Sequence, residues 1–401
     1  MTYFKSHNGE LLIDGISLSN LKLRAGQTPF YAYDRSVISK KISQFRSAMP
    51  NDLKLHYAMK ANPMPALVDF IADQVDGLDV ASGKELNIAL NSSMPCQKMS
   101  FAGPGKRLKE LEMAIASKVT INIESFTELD RITQICEQTG IKARVAIRVN
   151  PDFELKSSGM KMGGGAQQFG IDAELVGDML ARIKQNNLAY QGLHIFTGSQ
   201  NLNADSIKQA HQNIFALATR LQRRCDMPIQ TLNIGGGLGI PYFPGEQMLQ
   251  IDRIGEALVT HISHFKDQFK ETEVVMELGR YLVGESGVYV AEVTDIKPSR
   301  GTSFAVIDGG LHHHLSASGN FGQVIRKNYP VAIGNKMDHE NQCPVQIVGP
   351  LCTPLDLMAN QYDLPKVEIG DLVVIYQSGA YGYSASPRDF LSHPQPIEML
   401  V

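Results

Sequence analysis

Short apolar runs alternate with longer amphipathic stretches over the first two thirds of the chain. The runs span four to seven residues and are rich in β-branched side chains, which favours strands over helices. Eight strand candidates result: residues 53–58, 76–80, 98–101, 119–123, 143–149, 190–195, 230–234 and 273–278.

The stretches between these candidates carry apolar residues at three- and four-residue spacing, as at Leu67, Phe70 and Ile71, which predicts amphipathic helices. The predicted helices include residues 64–74, 83–91, 125–139, 173–186, 204–224 and 251–269. Alternating strands and helices predict parallel strands with helical crossovers. Eight units can close into a (β/α)8 TIM barrel, but a doubly wound open sheet fits the same local pattern.

The pattern changes after about residue 280. Strand-like segments at 287–296, 303–308, 345–348 and 371–376 are not separated by long helical patterns, which predicts an antiparallel β-domain. The first 27 residues also lack a helical pattern and are expected to add a strand to it. We therefore expect a barrel over residues 28–277 and a β-domain formed by residues 1–27 and 278–401.

Composition narrows the class of protein only slightly. A length of 401 residues suggests two domains, and 43% hydrophobic with 20% charged residues is typical of globular proteins. A net charge of −3 gives no general attraction to nucleic acid or anionic membranes. The sequence shows neither a signal peptide nor a membrane-spanning run, and its five cysteines form no CxxC pair, so we expect a cytoplasmic protein without a disulfide framework or zinc finger.

Unusual residues follow the predicted strands, where TIM barrels carry their chemistry. Lys60 follows the first strand among apolar neighbours, which would desolvate its amine and favour the uncharged form that a Schiff base requires; a surface lysine is the alternative. Three glycines, Gly235, Gly236 and Gly237, follow the seventh strand and could hold a phosphate or form a flexible turn. Glu277 lies in the apolar eighth strand, where it needs a partner: a protonated ring nitrogen, Arg280 or another arginine.

The predicted β-domain holds two further candidates. Cys352 is a single cysteine, which in most proteins is a small buried apolar residue. The run His312–His314 suggests a metal site, but on a strand only alternate histidines share a face, and no nearby carboxylate or cysteine completes a tetrahedral set. We therefore predict no metal and a polar or structural role for these histidines.

Seven motifs together resemble one group of enzymes. In chain order they are YAMKANP, DVASGKEL, GLHIFTGSQ, NIGGGLG, MELGRY, GPLCTPLD and GAYGYS. They resemble the alanine-racemase-like barrel group of pyridoxal-phosphate enzymes (fold type III) and, within it, the diaminopimelate, ornithine and arginine decarboxylase family. The resemblance runs from Tyr31 to Ser384. It implies a (β/α)8 barrel followed by an antiparallel β-domain, and a pyridoxal-phosphate-dependent amino-acid decarboxylase.

The resemblance also implies roles for individual residues. Lys60 would hold pyridoxal 5'-phosphate as a Schiff base, and Glu277 would pair with the ring nitrogen. Cys352 would come from the neighbouring subunit of a homodimer, completing a shared active site and supplying a proton. The residues implied around the phosphate are Gly235, Gly236, Gly237, Gly279, Arg280, Tyr381 and Ser199, and those implied around the substrate are Asp356, Thr353 and Arg280.

Three positions depart from the family's pattern. Phe196 replaces a histidine that stacks on the ring, and Gln168 replaces a lysine before the Phe-Gly pair. Thr353 replaces the acidic residue that reaches the distal amine of dibasic substrates, which argues against lysine, ornithine and diaminopimelate. The motifs resemble an exosortase-associated or secondary-metabolite subgroup, some of whose members act on aminoacyl groups bound to carrier proteins. We expect either a free, non-dibasic amino acid or such a carrier-bound group as substrate.

Two other functions fit the same fold. Racemases of this group continue the lysine motif as KANAYG, whereas here Ala61, Asn62 and Pro63 follow Lys60. A decarboxylase-like chain could also regulate partners without catalysis. Retention of both Lys60 and Cys352 argues against that alternative.

Overall fold

A computed structural model describes residues 3–154, 160–161, 163–223, 225–323, 325–340 and 342–401. Its strands are β1 (Lys5–His7), β2 (Glu10–Ile13), β3 (Ile16–Ser17), β4 (Phe30–Tyr33), β5 (Leu53–Ala58), β6 (Gly77–Val80), β7 (Met99–Phe101), β8 (Thr120–Ile123), β9 (Arg144–Asn150), β10 (Met160–Lys161), β11 (Ile171–Asp172), β12 (Ala189–Ile195), β13 (Gly198–Ser199), β14 (Thr231–Gly236), β15 (Glu273–Leu278), β16 (Gly287–Ser299), β17 (Thr302–Ile307), β18 (Val331–Ile333), β19 (Gln342–Val348), β20 (Leu357–Pro365), β21 (Leu372–Ile375) and β22 (Ile397–Leu400).

The α-helices are α1 (Leu18–Ala25), α2 (Arg35–Ala48), α3 (Pro65–Ala72), α4 (Gly83–Leu90), α5 (Leu108–Ala116), α6 (Phe126–Thr139), α7 (Val176–Gln185), α8 (Ala204–Gln222), α9 (Ile251–Lys266) and α10 (Arg280–Val283). Arg224, the last residue of one predicted helix, lies outside the described residues. Among the described helices, none combines the length and apolar character needed to cross a bilayer.

Eight parallel strands close into a barrel. Around it they run β5-β6-β7-β8-β9-β12-β14-β15, and β15 pairs with β5 to complete the ring. All eight predicted strands are present within two residues of their predicted ends. Closure excludes the open sheet and confirms the predicted TIM barrel.

Local capping signals fix where several barrel helices begin. The hydroxyl of Ser82 accepts a hydrogen bond from the backbone N–H of Glu85 at the start of α4, and Ser125 does the same for Glu128 at the start of α6. Each satisfies an amide that the helix itself leaves unpaired. These short turns bring the chain from one strand end directly into the next crossover helix.

The second unit is a β-domain, as predicted. Its main sheet runs β18-β21-β16-β17-β19-β20, and β4 pairs with both β16 and β22. Most pairings are antiparallel, while β17 with β19 and β4 with β22 are parallel, so the sheet is mixed. Strands β1, β2 and β3 form a small antiparallel sheet of their own.

The division between the units differs from the predicted one. The β-domain comprises residues 1–41, 241–247 and 282–401, and the barrel comprises residues 42–240 and 248–281. The predicted barrel start at residue 28 is too early because β4 pairs with β16 of the β-domain. The two paired strands lie far apart in the sequence, so the local pattern around residue 30 does not indicate the pairing.

A helix near the amino terminus was not predicted. In α1, Ser17 accepts a hydrogen bond from the N–H of Asn20 at the start, and Gly26 ends the helix with a φ of +75°. Leu18 and Leu21 are its buried residues. A helix of eight residues with two buried leucines is too short for its hydrophobic periodicity to be recognised in the sequence.

Candidate active site

Lys60 lies in a short turn directly after β5. The turn, Met59–Ala61, is held by the hydroxyl of Tyr57, which donates to the carbonyl of Asn62 at 2.9 Å. Met59 and Ala61 are buried, whereas Lys60 itself is exposed, and its Nζ lies 5.0 Å from the centre of the Phe196 ring. Lys60 is therefore exposed and is not enclosed by its apolar neighbours in sequence.

Glu277, near the end of β15, is a buried carboxylate with two polar partners from neighbouring strands. Asn233 on β14 donates to its Oε2 at 3.2 Å, and Nε2 of His194 on β12 lies 3.3 Å from the same oxygen. The His194 contact has ion-pair distance without the alignment of a hydrogen bond. No described residue donates to Oε1, so one oxygen of this carboxylate is left for a further donor.

The charges around Glu277 keep it ionised. Burial alone would raise the pKa of this carboxyl, but the His194 imidazole opposes it most strongly, and Lys60 and Arg148 add to the effect. The net result holds the pKa of Glu277 well below its usual range. Among the described residues no arginine forms an ion pair with it, so the alternative of a salt bridge to Arg280 is not found.

The glycine run at the end of β14 is forced by close backbone packing. A Cβ on Gly236 would lie 1.8 Å from the carbonyl oxygen of Glu277, and one on Gly237 would lie 2.0 Å from that of Gly198. Gly237 has a φ of +80° and its carbonyl accepts a hydrogen bond from the N–H of Asn201, two residues after Ser199. The three segments therefore form a tight backbone cradle, which a residue with a side chain at these positions would fill.

The end of β15 packs against the turn that carries Lys60. A Cβ on Gly279 would lie 2.8 Å from Cβ of Ala61 and 2.9 Å from the carbonyl oxygen of Ala58. Gly279 therefore allows β15 to end against the turn that carries Lys60, and Arg280 follows at once as the first residue of α10. The barrel thus gathers at one end the predicted residues Lys60, Phe196, Ser199, Gly235, Gly236, Gly237, Glu277, Gly279 and Arg280.

Sequence reasoning missed His194 and Asn233. Each is a single polar residue within an apolar run, LHI in β12 and LNI in β14, as Glu277 is in MEL of β15. A polar residue in a buried parallel strand needs a partner. The same pattern therefore indicates that His194 and Asn233, like Glu277, need polar partners.

The remaining predicted site residues belong to the β-domain. Cys352 is exposed and Thr353 is half-buried, and the Thr353 hydroxyl accepts a hydrogen bond from the N–H of Leu355 at 3.3 Å. Tyr381 is half-buried with a φ of +54°, and its carbonyl accepts a hydrogen bond from Ser316. These residues lie on loops between strands of the domain.

Asp356 holds in place the loop that carries Cys352, which we call the cysteine loop. It is 3% exposed, and its two oxygens accept hydrogen bonds from the N–H groups of Leu311 at 2.6 Å and Leu351 at 2.9 Å. The carboxylate therefore fastens the loop bearing Cys352 to a second segment. We expected Asp356 to contact substrate; because both oxygens are engaged by backbone amides, we interpret it as a positioning residue.

The three consecutive histidines are buried within the β-domain. His314 contacts the Ser378 hydroxyl at 2.9 Å, and the Tyr289 hydroxyl lies 3.4 Å from Nδ1 of His313. Within the described ranges, no group of three or more histidine, cysteine or carboxylate side chains is arranged to hold a metal ion. These contacts support a structural role.

Comparison with known proteins is consistent with this geometry. The family described as "Pyridoxal-dependent decarboxylase, pyridoxal binding domain" matches residues 35–284. The L-glutamyl-[BtrI acyl-carrier protein] decarboxylase of Niallia circulans is 37% identical over 380 residues, covering 93% of this chain and 89% of the relative. The diaminopimelate decarboxylase of Aquifex aeolicus is 31% identical over 402 residues, covering 100% of this chain and 92% of that enzyme.

A solved structure shares the whole architecture. The diaminopimelate decarboxylase of M. jannaschii in complex with L-lysine superposes with a TM-score of 0.89 at 27% identity, covering 100% of this chain and 93% of that one. The resemblance inferred from the seven motifs is confirmed, and with it the dependence on pyridoxal phosphate. The chain belongs to the pyridoxal-dependent decarboxylase family and is a pyridoxal-phosphate-dependent carboxy-lyase.

Proposed function

We propose that this enzyme decarboxylates an amino acid that a partner protein carries through its side-chain carboxyl group, which leaves the α-carboxylate free to depart as CO2. The substrate would therefore have an acidic and not a dibasic side chain. The observation that carries the proposal is Thr353 at the position where the family places an acidic residue. Its hydroxyl is engaged by its own loop and offers no negative charge for a distal ammonium group. The relative from Niallia circulans, which acts on a carrier-bound glutamyl group, supports the same substrate class.

The barrel residues fit pyridoxal phosphate. The glycine run packs backbone against backbone, so amide groups and not side chains would face a phosphate there. Lys60 is accessible for attachment, and Phe196 presents its ring beside the amine. When bound, the cofactor supplies an electron sink for the electron pair of the bond that breaks as CO2 departs. Glu277, ionised and held at Oε2, offers Oε1 to accept a hydrogen bond from a protonated ring nitrogen.

The β-domain residues would act on the substrate side. Cys352, exposed on a loop that Asp356 fastens, would deliver a proton to the carbon that loses CO2. We propose that it does so across the interface of a homodimer, in which each subunit completes the other's site. The family resemblance supports this arrangement.

The test is mass spectrometry of carrier proteins loaded with single amino acids after incubation with the cofactor-loaded enzyme. We expect a mass loss of one CO2 from a glutamyl-carrier protein, and none with the Lys60→Ala variant. Free meso-diaminopimelate, L-lysine and L-ornithine run in parallel and should release little CO2. Efficient CO2 release from a free dibasic amino acid would contradict the proposed substrate class, and racemisation without CO2 would contradict decarboxylation itself.

A further inference from the structure

The barrel contains a cavity at the end opposite to the candidate active site. It has a volume of about 470 Å³, and its lining includes the first residues of five strands: Met99, Thr120, Arg144, Thr231 and Glu273. Lys60, the glycine cradle and Glu277 lie at the carboxyl ends of their strands. The cavity therefore opens at the amino ends of the strands, and it shares with the cofactor site only Asn233 of its described lining, whose side chain contacts Glu277.

The cavity exists because the barrel is underfilled at this end. Lining residues alternate along the strands, as at Arg144 and Ala146 on β9, so they point into the barrel. TIM barrel interiors are usually filled by layers of bulky branched side chains. Here Ser100, Asn122 and Ala146 occupy inward positions and are too small to fill it. The volume of about 470 Å³ lies within the range of roughly 300–1,000 Å³ that is typical of small-molecule sites.

Arg144 gives the cavity an unsatisfied cation. Its Nε is buried without a hydrogen-bond partner, and no described residue forms an ion pair or side-chain hydrogen bond with its guanidinium. Burial lowers the pKa of this side chain, so its charged form is partly desolvated without compensation. A planar guanidinium in this state is suited to a bidentate carboxylate.

The opposite side of the cavity carries two carboxylates and one ammonium group. Glu271 and Glu273 lie at the start of β15, three strands further round the barrel from Arg144 on β9. Glu273 pairs at 3.4 Å with Lys98, which also lines the cavity, and Glu271 has no ion pair with a described residue. A ligand that crosses the cavity would therefore meet the Arg144 guanidinium at one end and the Glu271 carboxylate at the other.

We propose that this cavity is a binding site for a small amino acid whose ammonium group is several bonds away from its carboxylate, with the carboxylate on Arg144 and the ammonium group toward Glu271. The hydroxyl and amide groups of the wall, among them Asn122 and Ser100, would accept hydrogen bonds from the ligand or from bridging water. The site is separate from the one at which the substrate reacts.

Isothermal titration calorimetry with 5-aminopentanoate, which carries one carboxylate and one ammonium group at its two ends, tests the proposal. The protein is the holoenzyme in which borohydride has fixed the cofactor, so that an amino acid cannot displace the active-site lysine. We expect a dissociation constant below about 1 mM, at least about tenfold weaker binding in Arg144→Gln, and unchanged binding in Arg131→Gln, an exposed arginine on α6. Ala146→Leu, which fills the cavity and leaves every charge in place, should weaken binding as well.

Several results would overturn the proposal. Absence of binding to the wild-type holoenzyme up to about 10 mM would do so, as would equal affinity in Arg144→Gln and Ala146→Leu. Succinate, which carries carboxylates without an ammonium group, should bind at least about tenfold more weakly than 5-aminopentanoate. Equal affinity for both would contradict an amino-acid site.

Discussion

Replacing His194 tests how the fold keeps Glu277 ionised. His194→Leu removes the imidazole that lies 3.3 Å from Oε2, while Asn233 still donates to the same oxygen. An opposite charge at such a distance lowers a carboxyl pKa by about 1–3 units, and each unit corresponds to about 1.4 kcal/mol. Because Lys60 and Arg148 also act on Glu277, we expect its pKa to rise by about 1–2 units in the variant.

The consequence is a changed pH profile. A carboxyl whose pKa is depressed in the folded state contributes stability above its unfolded pKa near 4.5, and that stability is lost as pH falls below it. The loss of unfolding free energy between about pH 5 and 3 should therefore be smaller in His194→Leu, because the folded pKa of Glu277 then lies closer to the unfolded value. The matched control is His264→Gln, an exposed histidine on α9 of the same barrel, whose loss should follow the wild type. The same pH dependence of unfolding free energy in all three proteins would refute the role assigned to His194.

The remaining predictions concern the cradle, the β-domain and the subunit interface. Gly236→Ala places a Cβ 1.8 Å from a backbone carbonyl and should abolish cofactor retention after gel filtration, whereas Gly177→Ala, with nothing within 4 Å, should retain it. Burial lowers the pKa of His314 to about 3, below its unfolded value near 6.5, so the stability this histidine contributes is present above pH 6.5 and lost as pH falls toward 3. Thermal unfolding from pH 7.5 to 5 should show that loss, with a smaller slope in His314→Gln. Mixing Lys60→Ala and Cys352→Ala subunits should restore activity through hybrid dimers, and no recovery after verified exchange would contradict the shared site.

The strands of the barrel and of the β-domain were predictable because their signals are local, whereas closure of the barrel followed from the family resemblance and not from the local pattern. Eight short β-branched runs separated by amphipathic stretches specified the strands, and glycines or single polar residues at their ends marked the cofactor side. The assignment of β4 was not predictable in this way, because its partner β16 lies more than 250 residues further along the chain.

The sequence predicted the identity of the site residues better than it predicted the partners with which they interact. Glu277 was expected to need a partner. That this partner is His194 and not an arginine depends on the strand order of the barrel, in which β12, β14 and β15 are neighbours. The exposure of Lys60 follows from the turn after β5, which directs its neighbours inward. Asp356 shows the same limit, since its two amide donors come from segments 40 residues apart.

The most direct test of the central claim compares kcat/KM for CO2 release from a glutamyl-carrier protein and from free L-glutamate, with Thr353→Glu alongside the wild type. The account predicts that the wild type prefers the carrier-bound substrate, and that Thr353→Glu gains activity on free dibasic amino acids because it restores a negative charge to the cysteine loop. Equal kcat/KM for bound and free glutamate, together with no change of preference in the variant, would contradict it.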